Sequence, residues 1–155
     1  MSGGEIEYRV ASEADLPAIT YVRTSVRENH LSIEQLARRG ITNASVAASF
    51  RANARGWVAE HRGEVVAFSI ADRSSHSIFA LFVLPGFDGR GIGGSLLNLA
   101  VEWLWENGSE RIWLETSRDT RAASFYALKG WTATGVDARG NIRYELQRPN
   151  NWKFG

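Results

Sequence analysis

The sequence contains no cysteine, only three prolines and no hydrophobic stretch that could cross a membrane. Without cysteine there is no disulfide, no thiolate metal site and no cysteine nucleophile. A membrane-spanning helix needs about 20 consecutive apolar residues, whereas the longest apolar stretch, residues 78–85, has the length of a strand. The N-terminus lacks the basic segment and following apolar segment of a secretory signal. Together these absences predict a cytoplasmic protein without a membrane partner.

An excess of charge of one sign is also missing. The chain has 18 Lys and Arg residues against 17 Asp and Glu residues, which leaves a net charge of +1. Nucleic-acid-binding proteins normally carry a strong basic excess, so no nucleic-acid partner is expected. The 155 residues, 44% of them hydrophobic, are the usual length of one domain with its own core. We therefore predict a single domain over residues 1–155.

The apolar patterning predicts an α/β fold of the α+β type, with a mixed, mostly antiparallel central sheet flanked by helices. Strands are expected at residues 6–10, 57–60, 65–71, 77–84, 111–116, 131–136 and 142–147. Helices are expected up to about Arg27, from Ser32 to near Gly40, and over residues 43–53, 92–107 and 120–129. The strands at 77–84 and 111–116 would be joined by one β–α–β crossover.

A glycine-rich turn lies between the strand at 77–84 and the helix that follows. It has five glycines in the nine residues from Gly86 to Gly94. The first turn of a helix has backbone N–H groups without a partner, and the helix dipole adds partial positive charge there. Glycines let a phosphate group approach those N–H groups closely. The turn therefore predicts a phosphate or pyrophosphate ligand.

Two known phosphate motifs fit this turn only in part. A P-loop has Lys after its last glycine, but Ile92 stands at that position. Gly89, Gly91 and Gly94 match the dinucleotide fingerprint, and Glu115 lies near the expected acidic position. Against that interpretation, residues 85–88 separate the fingerprint from its strand, a hairpin meander precedes it, and too few residues follow for the second half of a dinucleotide-binding fold.

A third interpretation rests on two segments. Residues 81–85 (Leu-Phe-Val-Leu-Pro) and then 88–97 (Asp-Gly-Arg-Gly-Ile-Gly-Gly-Ser-Leu-Leu) resemble the acyl-CoA signature of the GNAT acetyltransferase superfamily. That signature reads Gln/Arg-x-x-Gly-x-Gly/Ala after a strand. Residues 122–131, which include Tyr126, resemble the helix–Gly–aromatic segment of the same family. The resemblance extends to the element order and implies the GNAT fold, acetyl-CoA as the cofactor and acetyl transfer to an amine.

The resemblance also implies which residues bind coenzyme A. They are Phe82, Val83, Asp88, Gly89, Arg90, Gly91, Ile92, Gly93, Gly94, Ser95, Asp119 and Thr120. Two of them depart from the family pattern. Asp88 occupies the Gln/Arg position, where a carboxylate repels a pyrophosphate and is expected to lower the affinity. Asp119 stands where many relatives have Asn, and an ionised Asp cannot donate a hydrogen bond, so Thr120 beside it is the candidate to replace that donor.

By the same resemblance, Tyr126 is the general acid that protonates the departing thiolate, and a backbone N–H around Phe82 or Val83 polarises the thioester carbonyl. The base is less defined, because the strand at 77–84 has no carboxylate. Glu115 is the first candidate, since it shares a strand face with Trp113 in the strand expected to diverge from the cofactor strand. The other candidates are His76, Asp72 and His30.

The acceptor pocket of this fold is framed by the loop between the first two helices. The expected substrate-binding residues are Glu28, Asn29 and His30 in that loop, together with Trp113. No His or carboxylate spacing is typical of a metal site, so no metal is predicted.

The leading prediction is therefore an acetyl-CoA-dependent N-acetyltransferase. It would acetylate a primary amine of a small molecule or an amino-acid-like compound by direct attack in a ternary complex. Acetylation of a peptide or protein amine, and a non-catalytic acyl-CoA-binding module, are the alternatives. The sequence leaves open whether the chain forms a homodimer.

Overall fold

A seven-stranded sheet in the order β1-β2-β3-β4-β5-β7-β6 forms the centre of the computed structural model, which describes residues 5–25, 32–117 and 121–152. Every neighbouring pair of strands is antiparallel except β4 and β5, which are parallel. This arrangement confirms the predicted mixed, mostly antiparallel sheet. The strands are β1 (Ile6–Val10), β2 (Ala54–His61), β3 (Glu64–Asp72), β4 (Ser77–Val83), β5 (Arg111–Ser117), β6 (Thr132–Val136) and β7 (Asn141–Gln147).

Helices cover both faces of the sheet. They are α1 (Leu16–Ser25), which follows a 3₁₀ turn (Glu13–Asp15), α2 (Ile33–Arg38), α3 (Asn43–Arg51), α4 (Ile92–Glu106) and α5 (Arg121–Leu128). One hydrophobic core joins α4 and α5 to one face, and a second core joins α1 and α3 to the other. The crossover from β4 through α4 to β5 is the predicted β–α–β unit. No helix among the described residues has both the length and the apolar character needed to cross a membrane.

Local sequence signals explain several of these elements. Ser32 and Gln35 form a reciprocal capping box at the start of α2, as predicted from their spacing. Arg62 and Gly63 both have positive φ angles, 54° and 81°, which is the conformation of the two-residue turn that matches strand twist in a hairpin. The β2 strand is longer than predicted at both ends, and the end of the first predicted helix, at Arg27, lies outside the described residues.

Arg9 on β1 ties the start of α1 to the sheet. Its guanidinium donates to both carboxylate oxygens of Asp15, at 2.9 and 2.8 Å, and to Glu60 on β2 at 2.7 Å. The Ser12 N–H donates to the same Asp15 carboxylate at 2.7 Å. Asp15 is buried, and the hydrogen bonds from Arg9 hold the pKa of its carboxyl below the ordinary value. The direction in which α1 leaves β1 is therefore set by the Asp15 carboxylate, which accepts hydrogen bonds from Arg9 and from the Ser12 N–H.

The Asp15→Asn variant is expected to lose about 1–3 kcal/mol of unfolding free energy at neutral pH, because a neutral amide cannot accept both charge-assisted hydrogen bonds from Arg9. A carboxyl whose pKa is lowered by folding stabilises the fold at every pH above its pKa in the unfolded chain, which is about 4. This stabilisation is lost as the pH falls through the pKa of the carboxyl in the folded chain. Urea unfolding from pH 7 to pH 3 should therefore show a shallower acid dependence for Asp15→Asn than for the wild type. Glu13→Gln, which alters the exposed ion pair with Arg51, is the matched control. Identical acid profiles for Asp15→Asn and the wild type would contradict this role.

Candidate active site

Strands β4 and β5 meet at one residue pair and then separate. That pair is Ser77 with Trp113, supported by a hydrogen bond from the Trp113 N–H to the His76 carbonyl at 3.1 Å. Two clefts open along the gap, one on each face of the sheet. Five residues line both clefts: Ile78, Phe79, Phe82, Glu115 and Thr116. The gap is therefore the junction between two binding spaces.

The first cleft has a volume of about 630 Å³ and lies on the face covered by α4 and α5. Its walls are β4, the glycine turn, the start of α4, part of β5 and α5. From the predicted cofactor set, the residues that line it are Phe82, Val83, Asp88, Gly89, Gly91, Ile92, Gly93 and Gly94. Arg90 and Ser95 are not among its lining residues, and the guanidinium of Arg90 lies 4.9 Å from the ring centroid of Phe87.

The glycine turn brings unpaired N–H groups to this cleft. Gly91 is the N-cap of α4 and has a φ of 78°, a left-handed conformation that a side chain disfavours. The first backbone hydrogen bond of the helix runs from the Ser95 N–H to the Gly91 carbonyl at 3.1 Å. The N–H groups of Ile92, Gly93 and Gly94 precede that bond and have no acceptor within the helix. Three donors and the positive end of a 15-residue helix therefore face the same space.

Gly93 and Gly94 leave room on the cleft side of α4. A Cβ atom at Gly93 would lie 3.8 Å from Phe125 and from Val83, which is ordinary van der Waals contact. A Cβ atom at Gly94 would lie 3.3 Å from the Lys129 ammonium nitrogen. The packing within the chain thus tolerates a methyl group at Gly93.

Asp88 is not an isolated negative charge. Arg121, the first residue of α5, approaches it with an Nη2–Oδ2 distance of 3.7 Å. Both side chains are exposed, so the pair itself adds little stability. Sequence reasoning missed Arg121, although a cation in the first turn of a helix opposes the helix dipole and so indicated a role other than helix stability. Arg121 places a positive charge at the cleft wall beside the carboxylate that was expected to repel a pyrophosphate.

The backbone of β4 offers a donor to the gap. The Leu84 N–H bonds to the Val66 carbonyl of β3 at 2.8 Å. Alternate residues of an antiparallel strand bond to the same neighbour, so Phe82 also bonds to β3 while the Val83 N–H points the other way. Of the two residues considered from the sequence, Val83 is the one whose N–H faces the space between β4 and β5.

Tyr126 lies on the inner face of α5 and is 6% exposed. Its ring packs against Phe125, Trp131 and Tyr144 at centroid distances of 5.2, 5.8 and 6.0 Å. Burial raises the pKa of its phenol, which keeps the hydroxyl protonated at neutral pH. Among the described residues, every fully buried polar side-chain atom has a hydrogen-bond partner. The Tyr126 hydroxyl has no such partner there, so its oxygen is not fully buried. The hydroxyl is therefore accessible from the first cleft, which Tyr126 lines.

Glu115 stands at the junction of the two clefts. The burial of β5 alternates, so that Ile112, Leu114 and Thr116 face the core while Glu115 is exposed on the opposite face. The structure thus brings Glu115, Tyr126 and the glycine turn to one connected space. The other described candidates for a base lie elsewhere: the Nδ1 atom of the exposed His76 is 2.8 Å from the hydroxyl of Ser109, and Asp72 accepts hydrogen bonds within the turn that follows β3.

The second cleft, of about 510 Å³, lies on the face covered by α1. Trp113 contributes to it, with its indole N–H bonded to the Ser75 carbonyl at 2.9 Å and its ring 4.1 Å from the guanidinium carbon of Arg143. Three arginines from distant parts of the chain also line it: Arg23, Arg39 and Arg139.

Five of the predicted site residues lie outside the described residues. They are Glu28, Asn29, His30, Asp119 and Thr120. Over residues 5–25, 32–117 and 121–152 no group of three His, Asp or Glu side chains could hold a metal ion.

Comparison with protein families identifies relatives of this chain. The model of the acetyltransferase (GNAT) family matches residues 20–131. An uncharacterized N-acetyltransferase of Archaeoglobus fulgidus is 40% identical over 80 residues, which cover 45% of this chain and 54% of that protein. The chain spans about half the length of the curated relatives that it matches.

Solved structures share the fold over nearly the whole chain. The PaiA N-acetyltransferase of Thermoplasma acidophilum, solved in complex with coenzyme A, has a TM-score of 0.79 at 18% identity, over 93% of this chain and 99% of that one. The ribosomal-protein-S18-alanine N-acetyltransferase of Escherichia coli has a TM-score of 0.72 at 18% identity, over 97% and 100% of the two chains. At this level of identity the likeness concerns the fold.

Proposed function

Because the chain belongs to the GNAT acetyltransferase family, we propose that it transfers the acetyl group of acetyl-CoA to a primary amine of a small molecule or amino-acid-like compound. One observation carries the proposal. The three unpaired N–H groups at the start of α4 open on the same cleft as Tyr126, and that cleft joins a second one at Glu115. The chain thus offers an anion site, a proton donor and a carboxylate along one connected path.

The first cleft suits coenzyme A. Its pyrophosphate would accept hydrogen bonds from the N–H groups of Ile92, Gly93 and Gly94. The apolar walls along β4 would hold the pantetheine arm, with the Val83 N–H as a donor. Arg121 supplies positive charge next to Asp88, and the Lys129 ammonium lies near Gly94. The N-acetyltransferase of the same fold from Thermoplasma acidophilum was solved in complex with coenzyme A.

The two titratable groups have separate tasks. Acetyl-CoA supplies a thioester, whose acetyl group passes to the amine nitrogen as the carbon–sulfur bond breaks. Glu115 takes the proton of the incoming ammonium, directly or through water, because only the neutral amine attacks. The Val83 N–H stabilises negative charge on the carbonyl oxygen. The Tyr126 hydroxyl donates its proton to the departing sulfur. The acylated nitrogen loses its second proton as the amide forms, and this proton returns through water to the tyrosine oxygen, so that the products are the amide, the free thiol of coenzyme A and a protonated Glu115.

Acetyl-CoA should raise the melting temperature, because a ligand that binds only the folded state stabilises it. At about one hundred times Kd the gain is about 2.7 kcal/mol, or about 5–10 °C for a chain of this size. Differential scanning fluorimetry with acetyl-CoA, and with NADH at equal concentration, separates this proposal from the dinucleotide interpretation. A shift with NADH alone would falsify the proposal. A shift with acetyl-CoA but no thiol release with any amine would indicate the non-catalytic module.

The Gly93→Val variant tests the position of the pyrophosphate. The GNAT signature has Gly or Ala at this position, so a methyl group alone is not expected to block the ligand and a larger side chain is needed. A Cβ at Gly93 makes ordinary van der Waals contacts with Phe125 and Val83, so the variant should stay folded but lose most of the acetyl-CoA shift. Gly135→Val, at a glycine with open space around it outside both clefts, should keep the shift. Full acetyl-CoA binding by Gly93→Val would show that the pyrophosphate lies elsewhere.

Asp88 and Arg121 should have opposite effects on coenzyme A affinity. Asp88→Gln removes a negative charge near the pyrophosphate and should tighten binding, whereas Arg121→Gln should weaken it. Both effects should shrink as salt rises, because exposed charges are screened. Isothermal titration at low and high salt measures this, with Arg111→Gln, at an arginine outside both clefts, as the control. If both variants bind coenzyme A with unchanged affinity, Asp88 and Arg121 lie outside the cofactor site.

Tyr126→Phe deletes one hydroxyl and keeps the ring that packs in the core. We expect kcat to fall about 100-fold, the lower scale of general acid catalysis, with little change in KM for acetyl-CoA. Because burial raises the pKa of the phenol, Tyr126 stays protonated up to at least about pH 10 and should add no ionisation to the kcat profile at neutral pH. Thiol release as a function of pH measures both. A kcat near that of the wild type, where chemistry limits turnover, would leave Tyr126 as a packing residue.

A further inference from the structure

The charges that line the second cleft are unevenly placed. Among the described residues its lining has one carboxylate, that of Glu115, and three guanidinium groups, those of Arg23, Arg39 and Arg139. Glu115 also lines the first cleft, whereas the three arginines line only the second. The carboxylate thus lies at the junction where acetyl transfer would take place, and the positive charge lies away from it.

Two of these arginines come from the elements that flank the loop between α1 and α2. Arg23, in the last turn of α1, is half-buried, and its guanidinium carbon lies 4.2 Å from the ring centroid of Phe82. Arg39 follows α2 and is near enough to repel it: burial, and then the charge of Arg39, lower the pKa of Arg23. An anion that enters the cleft beside two neighbouring like charges is attracted by both of them.

The third arginine comes from the opposite end of the chain. Arg139 lies in the turn between β6 and β7, where its backbone N–H, and not its guanidinium, bonds to the Asp137 carboxylate at 2.8 Å. Neither Arg39 nor Arg139 makes an ion pair within 4 Å in the described part of the chain. Arg143 differs, because its guanidinium is bonded to Glu145 at 3.1 Å and stacked on Trp113.

We propose that the second cleft binds an acceptor that carries a carboxylate as well as its amine, with the carboxylate held by Arg23, Arg39 and Arg139 and the amine directed to Glu115. Guanidinium groups bind carboxylates through paired, charge-assisted hydrogen bonds. The arrangement matches an amino acid. Its ammonium group would lie beside Glu115, the only carboxylate in the described lining, and its carboxylate would lie beside the three arginines. This inference rests on the proposed acetyl transfer, and it restricts the acceptor class to free amino acids.

The test compares each amino acid with its carboxamide, which has nearly the same shape but no negative charge. A series from glycine to ε-aminocaproate, with lysine and ornithine, varies the separation between amine and carboxylate. Thiol release from acetyl-CoA gives kcat/KM for each compound. We expect the best amino acid to exceed its carboxamide by about tenfold or more, the scale of a hydrogen bond to a charged group.

The variants assign that preference to the arginines. Arg39→Gln and Arg139→Gln should each reduce the ratio of acid to amide several-fold, mainly through KM for the acceptor. Arg38→Gln, at the exposed residue that precedes Arg39 but lines neither cleft, should leave the ratio unchanged. Equal kcat/KM for acids and amides, a ratio that survives both substitutions, or a preference for peptide amines over every free amino acid would overturn the inference while leaving acetyl transfer intact.

A second readout does not depend on turnover. Should no amine release thiol, the proposed function fails, and isothermal titration of the same pairs into the protein with coenzyme A decides the inference alone. Binding of an amino acid that is weaker for its carboxamide, and weaker again in Arg39→Gln but not in Arg38→Gln, supports the carboxylate site. The absence of any such difference overturns it.

Discussion

The divergence of β4 and β5 is the constraint on which the candidate site depends. Two parallel strands in the middle of a sheet ordinarily bond along their whole length, because unpaired backbone groups in the interior are costly. Here they share one residue pair, Ser77 with Trp113. The antiparallel strands on either side, together with α4, hold β4 and β5 in place without further bonds between them. The N–H and carbonyl groups that face the gap are consequently available to a ligand.

The glycine turn uses that gap by placing a helix end at its edge. A helix can direct three free N–H groups at a ligand only if its N-cap has a suitable conformation, and Gly91 adopts one with positive φ. The absence of side chains at Gly93 and Gly94 then leaves the approach open. On the other wall, the aromatic packing around Tyr126 keeps its phenol neutral and fixes its direction. The free N–H groups of the turn thus depend on backbone geometry, whereas the protonated state of Tyr126 depends on burial.

Much of this could be predicted from the chain because the signals are local. The spacing of Ser32 and Gln35 predicted the start of α2, and the alternation along residues 111–116 predicted which face Glu115 occupies. The density of glycines predicted the turn that leads into α4. The residues that sequence reasoning missed carry no local signal of which residues they lie beside in the fold. Arg121 became relevant only when α5 was seen beside Asp88.

The same holds for the second cleft. Arg23, Arg39 and Arg139 are ordinary surface arginines in the sequence, and only the tertiary fold brings them to one cleft. The choice between Phe82 and Val83 likewise needed the pairing of β4 with β3, since two adjacent N–H groups point to opposite sides of a strand.

The anchoring of α1 by Arg9, Asp15 and Glu60 has a consequence for how such a chain can diversify. The first cleft is built from one continuous stretch, from β4 to α5. The second cleft shares the β4 and β5 walls and adds α1, residues that follow α2 and the last hairpin. Because α1 is fastened to the sheet at its N-terminal end, far in sequence from the glycine turn, substitutions near its C-terminal end can accumulate without disturbing the turn. Residues that line only the second cleft can therefore change while the glycine turn keeps its geometry, whereas a change at one of the five shared residues would alter both clefts at once.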